Sequence, residues 1–127
     1  MKLIFLGTGT SQGVPIIGSK SPVSRSRDPH DNRLRTSAAV VTDDGHIILI
    51  DCGPDFRYQM LRAGLDDLDG ILFTHAHADH TAGLDDVRPI CYFRSHDIDL
   101  YAKEDVMESI KARFAYVFAK GADRYPG

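Results

Sequence analysis

The chain has 127 residues, 43% of them hydrophobic and 26% charged, and its formal net charge at pH 7 is -3. This is the composition of a globular domain large enough to bury a core of its own, and the acidic balance argues against a broad nucleic-acid-binding surface. No apolar run approaches the ~18 residues needed to cross a bilayer. Met1–Gly7 does not read as a secretory leader, and Cys52 and Cys91 stand far apart in no metal or redox spacing. A cytoplasmic protein with both thiols reduced, each a small buried apolar residue, is expected.

In chain order, residues 3–6 read as a short buried strand that Gly7, Gly9, Gly13 and Pro15 bring to an end. Residues 14–36 follow as a long loop rich in Ser, Pro, Gly and charge. Loops of that length inside a compact domain are unusual and commonly functional. Between Lys20 and Arg35 the loop holds five basic residues (Lys20, Arg25, Arg27, Arg33, Arg35) against Asp28 and Asp31. It either attracts an anion or is a solvated loop whose arginines pair with those two acids. Residues 37–42 and 46–51 read as two strands joined by the turn Asp43-Asp44-Gly45. Residues 55–63 read as a helix with Phe56, Met60 and Leu61 on one side and Gly64 as its stop.

Residues 70–74 form another buried apolar strand, 81–87 a helix and 98–101 a strand. Residues 104–118 carry the clearest helical periodicity, with Val106, Ile110, Phe114 and Val117 as core positions. Residues 121–127 read as loop. The order of elements predicts an α/β (α+β) domain in which helices pack on a mixed sheet.

The chemistry concentrates in residues 74–83, Thr-His-Ala-His-Ala-Asp-His-Thr-Ala-Gly. His75, His77, Asp79 and His80 fall within six residues directly after a buried strand. Imidazole and carboxylate are the donors favoured by Zn²⁺, Mn²⁺ and iron. Four donors on so tight a turn are too many for one open catalytic ion, so they divide better between two: His75 and His77 for one, Asp79 and His80 for the other. His30, His46 and His96 are expected as surface residues.

The spacing His-x-His-x-Asp-His after an apolar strand resembles the metallo-β-lactamase superfamily. The resemblance implies the N-terminal half of an αββα sandwich, with the helices on the outer face of the mixed sheet. Asp51, in Ile48-Leu49-Ile50-Asp51-Cys52-Gly53, looks like that superfamily's earlier strand-end aspartate, which supports the metal ligands from close by. The other reading makes Asp51 a cap for the helix that starts at Pro54. Residues 6–11 (Leu-Gly-Thr-Gly-Thr-Ser), 33–37 (Arg-Leu-Arg-Thr-Ser), 51–57 (Asp-Cys-Gly-Pro-Asp-Phe-Arg) and 83–89 (Gly-Leu-Asp-Asp-Val-Arg-Pro) are similar to one branch, the phosphoribosyl cyclic phosphodiesterases of bacterial phosphonate breakdown.

Two departures matter. Where that branch carries Gly-Cys-x-Cys-x-x-Cys for a structural zinc, this chain reads Gly18-Ser19-Lys20-Ser21-Pro22-Val23-Ser24. Serine hydroxyls do not ionise near neutral pH and are poor zinc ligands, so no structural zinc is expected at Ser19, Ser21 and Ser24. The loop then needs other contacts to hold it, or is mobile. The superfamily fold is also considerably longer, and draws further ligands from its second half. Residues 1–127 therefore read as a single domain truncated at its C-terminal side, with a sheet face left for the missing half or a second copy to cover.

What the resemblance implies for the complete site is a metal-dependent hydrolase, a phosphodiesterase acting on a small anionic phosphodiester. Two divalent ions, Zn or Mn, about 3.5–4 Å apart would hold a bridging hydroxide as the nucleophile. Asp79 would be both ligand and catalytic residue, helping to orient that nucleophile, and Arg33, Arg35 and Ser37 are candidate substrate contacts. A lactonase or thioesterase on the same scaffold, or a metal-binding fragment without turnover, is the alternative. No membrane association is expected, and no nucleic-acid partner.

Overall fold

The computed structural model describes residues 1–119; the segment 121–127, expected as loop, lies outside them. β1 (Lys2–Gly7), β2 (Ser37–Val41), β3 (Ile47–Ile50), β4 (Gly70–Leu72) and β5 (Asp99–Tyr101) form one sheet in that order. β2 pairs antiparallel with both β1 and β3, while β4 pairs parallel with both β3 and β5. The sheet is mixed, as the order of elements predicts. The β2–β3 hairpin closes on Gly45, whose N–H donates to the Thr42 carbonyl at 3.2 Å from a φ of 95°.

The helices are α1 (Phe56–Ala63), α2 (Ala78–Thr81), α3 (Arg88–Arg94) and α4 (Glu104–Arg113). Short 3₁₀ turns occupy Val23–Arg25, Pro29–Asp31, Leu84–Val87 and Ala115–Phe118. Gly64 ends α1 in the left-handed conformation, its N–H turned back on the last helical carbonyls. Among the described residues no helix is long and apolar enough to cross a membrane.

Strand alternation gives the sheet two unlike faces. One face carries Ile4, Leu6, Ala39, Leu49 and Ile71 into the core, where they meet Phe56 and Met60 of α1, Leu84, Val87, and Val106 and Ile110 of α4. The other face, read through the strand register, carries Leu3, Val40 and Ile48 in one row and Phe5, Ala38, Ile50, Leu72 and Tyr101 in the next. No described helix covers it: Leu3, Phe5, Leu72 and Tyr101 are 57%, 68%, 43% and 53% exposed. A contiguous apolar surface of this kind marks an interaction face.

Several sequence expectations shift. Leu61 and Val117 point outward, and Gln59 takes the inner position on α1. Phe114 leaves helical geometry at φ -115°, so the expected helix 104–118 divides into α4 and a 3₁₀ turn. The expected helix 81–87 starts earlier, at Ala78, and breaks before Leu84. α3 is unanticipated; Pro89 in its first turn starts the helix instead of breaking it. Cys52 is fully buried as expected, but Cys91 is only half-buried at the edge of the core.

Candidate metal centre

β3 and β4 are parallel neighbours, so the chain leaves both at the same end of the sheet, where sites in such sheets commonly form. Asp51 follows β3 directly. Its N–H donates to the Leu72 carbonyl at 2.9 Å, and its backbone sits at φ 61°, a left-handed conformation that aspartate tolerates better than most residues. The Ser37 hydroxyl supports this turn, shared between the Asp51 carbonyl at 3.0 Å and the Ile50 carbonyl at 3.2 Å.

The Asp51 carboxylate is buried and saturated with donors. Oδ1 accepts from the Thr74 N–H at 2.8 Å. Oδ2 accepts from the Thr74 hydroxyl at 2.7 Å and from His80 Nδ1 at 2.7 Å. Such bonds offset the desolvation that burial imposes on a charge. They also dispose of the capping alternative, because the carboxylate turns towards Thr74 and His80 and away from the helix of residues 56–63.

These bonds assign the ring protons. His80 gives its Nδ1 proton to Asp51, which leaves Nε2 turned towards Asp79 Oδ2, 3.2 Å away. The Thr74 hydroxyl gives its single proton to Asp51, so at the 3.0 Å contact with His75 Nδ1 it accepts, and His75 too uses Nδ1 as a donor. Asp51 thus sets the tautomer of His80 directly and that of His75 through Thr74. Outward-facing Nε2 lone pairs on neutral imidazoles are the form that ligates a metal.

The donors lie close together. The rings of His75 and His77 have centroids 4.7 Å apart, and those of His75 and His80 are 4.0 Å apart. Asp79 Oδ2 is 3.2 Å from His80 Nε2, so this carboxylate and this imidazole face the same point. Among the described residues, no three His, Cys, Asp or Glu side chains are gathered so as to hold one ion between them. Cys52, next to Asp51, does not join them. Burial, with the nearby charges of Asp86 and Asp51, pushes its thiol well above the ordinary range and keeps it neutral.

Close backbone approach brings Asp51 to α2. Cys52 N–H donates to the His80 carbonyl at 2.8 Å, and Gly83 N–H to the Cys52 carbonyl at 2.9 Å. A Cβ on Gly53 would lie 2.1 Å from the Asp79 carbonyl oxygen, and one on Gly83 would lie 2.1 Å from that of Gly53. No side chain fits at either position. From the other side, Arg113 of α4 donates to the Thr81 hydroxyl at 2.8 Å and to the Ala76 carbonyl at 2.9 Å.

The three candidate substrate contacts separate. Ser37 is buried beneath Asp51. Arg35 is bound to Asp55 through both its backbone N–H and its guanidinium, at 2.8 and 2.9 Å, and to the Ser11 carbonyl at 2.9 Å. It fastens the end of the long loop to the start of α1. Asp28, an expected arginine partner, instead accepts from His30 at 2.8 Å. Arg33 exchanges backbone hydrogen bonds with Val14 and has an exposed side chain. In the same loop the Ser19 hydroxyl donates to Ser21 at 3.1 Å, and the Ser24 hydroxyl accepts from the Ile16 N–H at 3.3 Å. Hydroxyl-to-backbone and hydroxyl-to-hydroxyl bonds supply the contacts this loop was expected to need.

Sequence reasoning named the histidines, Asp79 and Asp51, which the fold brings together where β3 and β4 end. It missed Thr74 and Arg113, and it gave Ser37 another role. Thr74 had one legible signal, a hydroxyl adjoining the first histidine. Arg113 had none, because its partners lie 32 and 37 positions away in the chain.

With this geometry in hand, the chain can be set beside known proteins. Residues 46–126 match the family model of the β-lactamase superfamily domain. An octanoyltransferase of Porphyromonas gingivalis is 53% identical over 100% of this chain, a match that covers 25% of that protein. A ribonuclease Z of Methanosarcina mazei is 33% identical over 85% of this chain and 31% of its own length. The crystal structure of a new diphosphatase from the PhnP family superposes with a TM-score of 0.86 at 50% identity, covering 91% of this chain and 46% of that one. The chain thus spans a quarter to just under half of these proteins.

Proposed function

Because this chain belongs to the β-lactamase superfamily, we propose that it forms the N-terminal half of a metal-dependent hydrolase, with His75 and His77 serving one divalent ion and Asp79 and His80 a second. The observation that carries this reading is the hydrogen-bond hub at Asp51, which engages Nδ1 of His80 directly and Nδ1 of His75 through Thr74, so that Nε2 of each is the nitrogen available to a metal. Zinc and manganese suit this nitrogen and oxygen donor set. When bound, such ions supply Lewis acidity and bring the ionisation of a water near neutral pH.

The residues of this chain supply position. Asp51 and Thr74 hold the ring orientations, and Gly53 and Gly83 let the two loops close on each other. Asp79 orients the attacking water by accepting its hydrogen bond. The remaining donors come from the C-terminal half of a longer protein, which covers the apolar sheet face of Leu3, Phe5, Ile50, Leu72 and Tyr101. Supplied with only half its donors, this chain alone is expected to bind cations without turnover.

For the substrate we favour a small anionic phosphodiester. The long loop presents Arg33 and its basic neighbours, and two of the similar proteins, a ribonuclease and a diphosphatase, are named for phosphorus–oxygen chemistry. The transferase name belongs to a protein three quarters of which lies outside the match. The test is a cobalt(II) titration of the chain followed by its visible absorption, with bis-p-nitrophenyl phosphate hydrolysis measured in the protein that includes the C-terminal half. Cobalt binding that loses one ion in His77→Ala, together with zinc- or manganese-dependent diester turnover in the longer protein, is expected. A folded chain that takes up no cobalt contradicts the metal reading. Metal binding without diester turnover in the longer protein contradicts the substrate reading.

A further inference from the structure

The bend from Phe73 to His77 belongs to no strand or helix, so its backbone groups need partners from elsewhere. The Thr74 N–H finds Asp51, as described. The Ala76 carbonyl, between the first two histidines, accepts from Arg113 Nη2 at 2.9 Å. Arg113 Nη1 donates at 2.8 Å to the Thr81 hydroxyl, which donates onward to the His77 carbonyl at 3.0 Å. One planar guanidinium therefore ties the strand-side half of the bend to α2, the helix that carries Asp79 and His80. Thr81 is fully buried, so water cannot replace the lost donor if the arginine is removed. Arg113 is itself well anchored: it is the last residue of α4, whose Val106 and Ile110 are buried in the core.

We propose that Arg113 is a positioning residue that fixes the separation between the His75–His77 pair and the Asp79–His80 pair. The inference rests on the metal-site reading above. It assigns this residue a role of its own: the rigid fork of the guanidinium reaches two acceptors on opposite sides of the bend from two separate nitrogens, a geometry the flexible lysine ammonium reproduces less well. His77 stands between those acceptors, so the brace determines where its ring is carried relative to α2.

The test compares the wild-type chain with Arg113→Gln and Arg113→Lys by cobalt(II) affinity and by amide hydrogen exchange of the metal-free protein. In Arg113→Gln, cobalt affinity is expected to fall about tenfold, the scale seen when partners of metal ligands are removed. Exchange should quicken at the His80 amide, which donates to the His77 carbonyl, while the amides of β2 and β3 keep their protection. Arg113→Lys should recover part of the affinity. Unchanged affinity in Arg113→Gln overturns the proposal, as does an affinity loss accompanied by general loss of protection across the sheet. If the wild-type chain takes no cobalt, the metal reading fails, and exchange at His80 still decides whether the brace exists: quickened exchange supports it and unchanged exchange overturns it.

Discussion

Histidine–aspartate pairs stand at both ends of the parallel part of the sheet, and their surroundings differ. Where β3 and β4 end, His80 Nδ1 meets Asp51 at 2.7 Å, the carboxylate is 3% exposed, and the second ring nitrogen faces Asp79. Where they begin, His46 Nδ1 meets Asp69 at 2.7 Å, with Asp44 3.7 Å from Nε2, and His96 has Asp67 on one ring nitrogen and the Asp97 carbonyl on the other. These two rings are exposed, as expected for His46 and His96. The hydrogen bond to Asp69 raises the His46 pKa, and the bonds to the Asp97 carbonyl and to Asp67 raise that of His96. Both rings therefore take up a proton more readily than an ordinary histidine, and a protonated ring has no lone pair to offer a metal. An adjacent aspartate therefore does not by itself make a ligand. A buried carboxylate on one ring nitrogen, with a second histidine ring packed alongside, is the distinguishing arrangement.

The largest expected effect that separates the two ends is the removal of a donor. His80→Ala should remove the cobalt ion that this ring holds with Asp79, and His46→Ala should leave the cobalt stoichiometry unchanged; calorimetry on the two variants checks both. If His46→Ala weakens binding as much as His80→Ala does, the contrast fails. Next comes Asp51→Asn, which keeps the shape but removes the carboxylate that sets both tautomers. Cation affinity should fall about 10–100-fold, and chemical denaturation should show a loss of about 1–3 kcal/mol from the disturbed buried network.

How far the site was legible in the sequence follows from the same contrast. The four donors form a local pattern whose spacing alone pointed to metal, and the core positions of the 104–113 helix were visible as periodicity. Asp51 was reachable through resemblance to a family, not through local pattern. Thr74, Ser37 and Arg113 act across the fold by single hydrogen bonds, which leave no period and no composition to detect. Arg35 looked like an anion contact because its charge is local information, whereas its partner Asp55 lies 20 residues on. α3 escaped notice because Tyr92 and Phe93 are exposed and blur its apolar face, and because Pro89 reads as a breaker.

A smaller effect concerns packing between the loops. In Gly83→Ala the new methyl would lie 2.1 Å from the Gly53 carbonyl oxygen and 2.8 Å from Phe56 Cβ. A cost of about 1–3 kcal/mol is expected, measured as a lower urea midpoint, with weakened cation binding. The open hairpin end offers the control: Asp43→Asn, which disturbs only an exposed ion pair with the N-terminal ammonium, should alter neither.

The smallest effect is pH dependence at the opposite end. The folded-state pKa values of His46 and His96 are raised, so their contribution is fully present below the ordinary histidine value and is lost as pH rises through the elevated one. The hydrogen bonds from Ile47 and His46 lower the Asp69 pKa, so its contribution is present above the ordinary carboxylate value and is lost as pH falls through the depressed one. The melting temperature should therefore decline slightly from pH 6 to pH 8, and His46→Gln with His96→Gln should flatten the decline. These groups are solvent-exposed, so the slope should be shallow and weaken further in salt.

Long-range proton–nitrogen NMR of the imidazoles, recorded on the metal-free chain and again with zinc added, tests the Asp51 hub most directly. The predicted result is an Nδ1–H tautomer at His75 and His80, followed by zinc-induced shifts of their Nε2 resonances with His46 and His96 unmoved. Protonated Nε2 at both rings before zinc, or zinc shifts confined to His46 and His96, would contradict it.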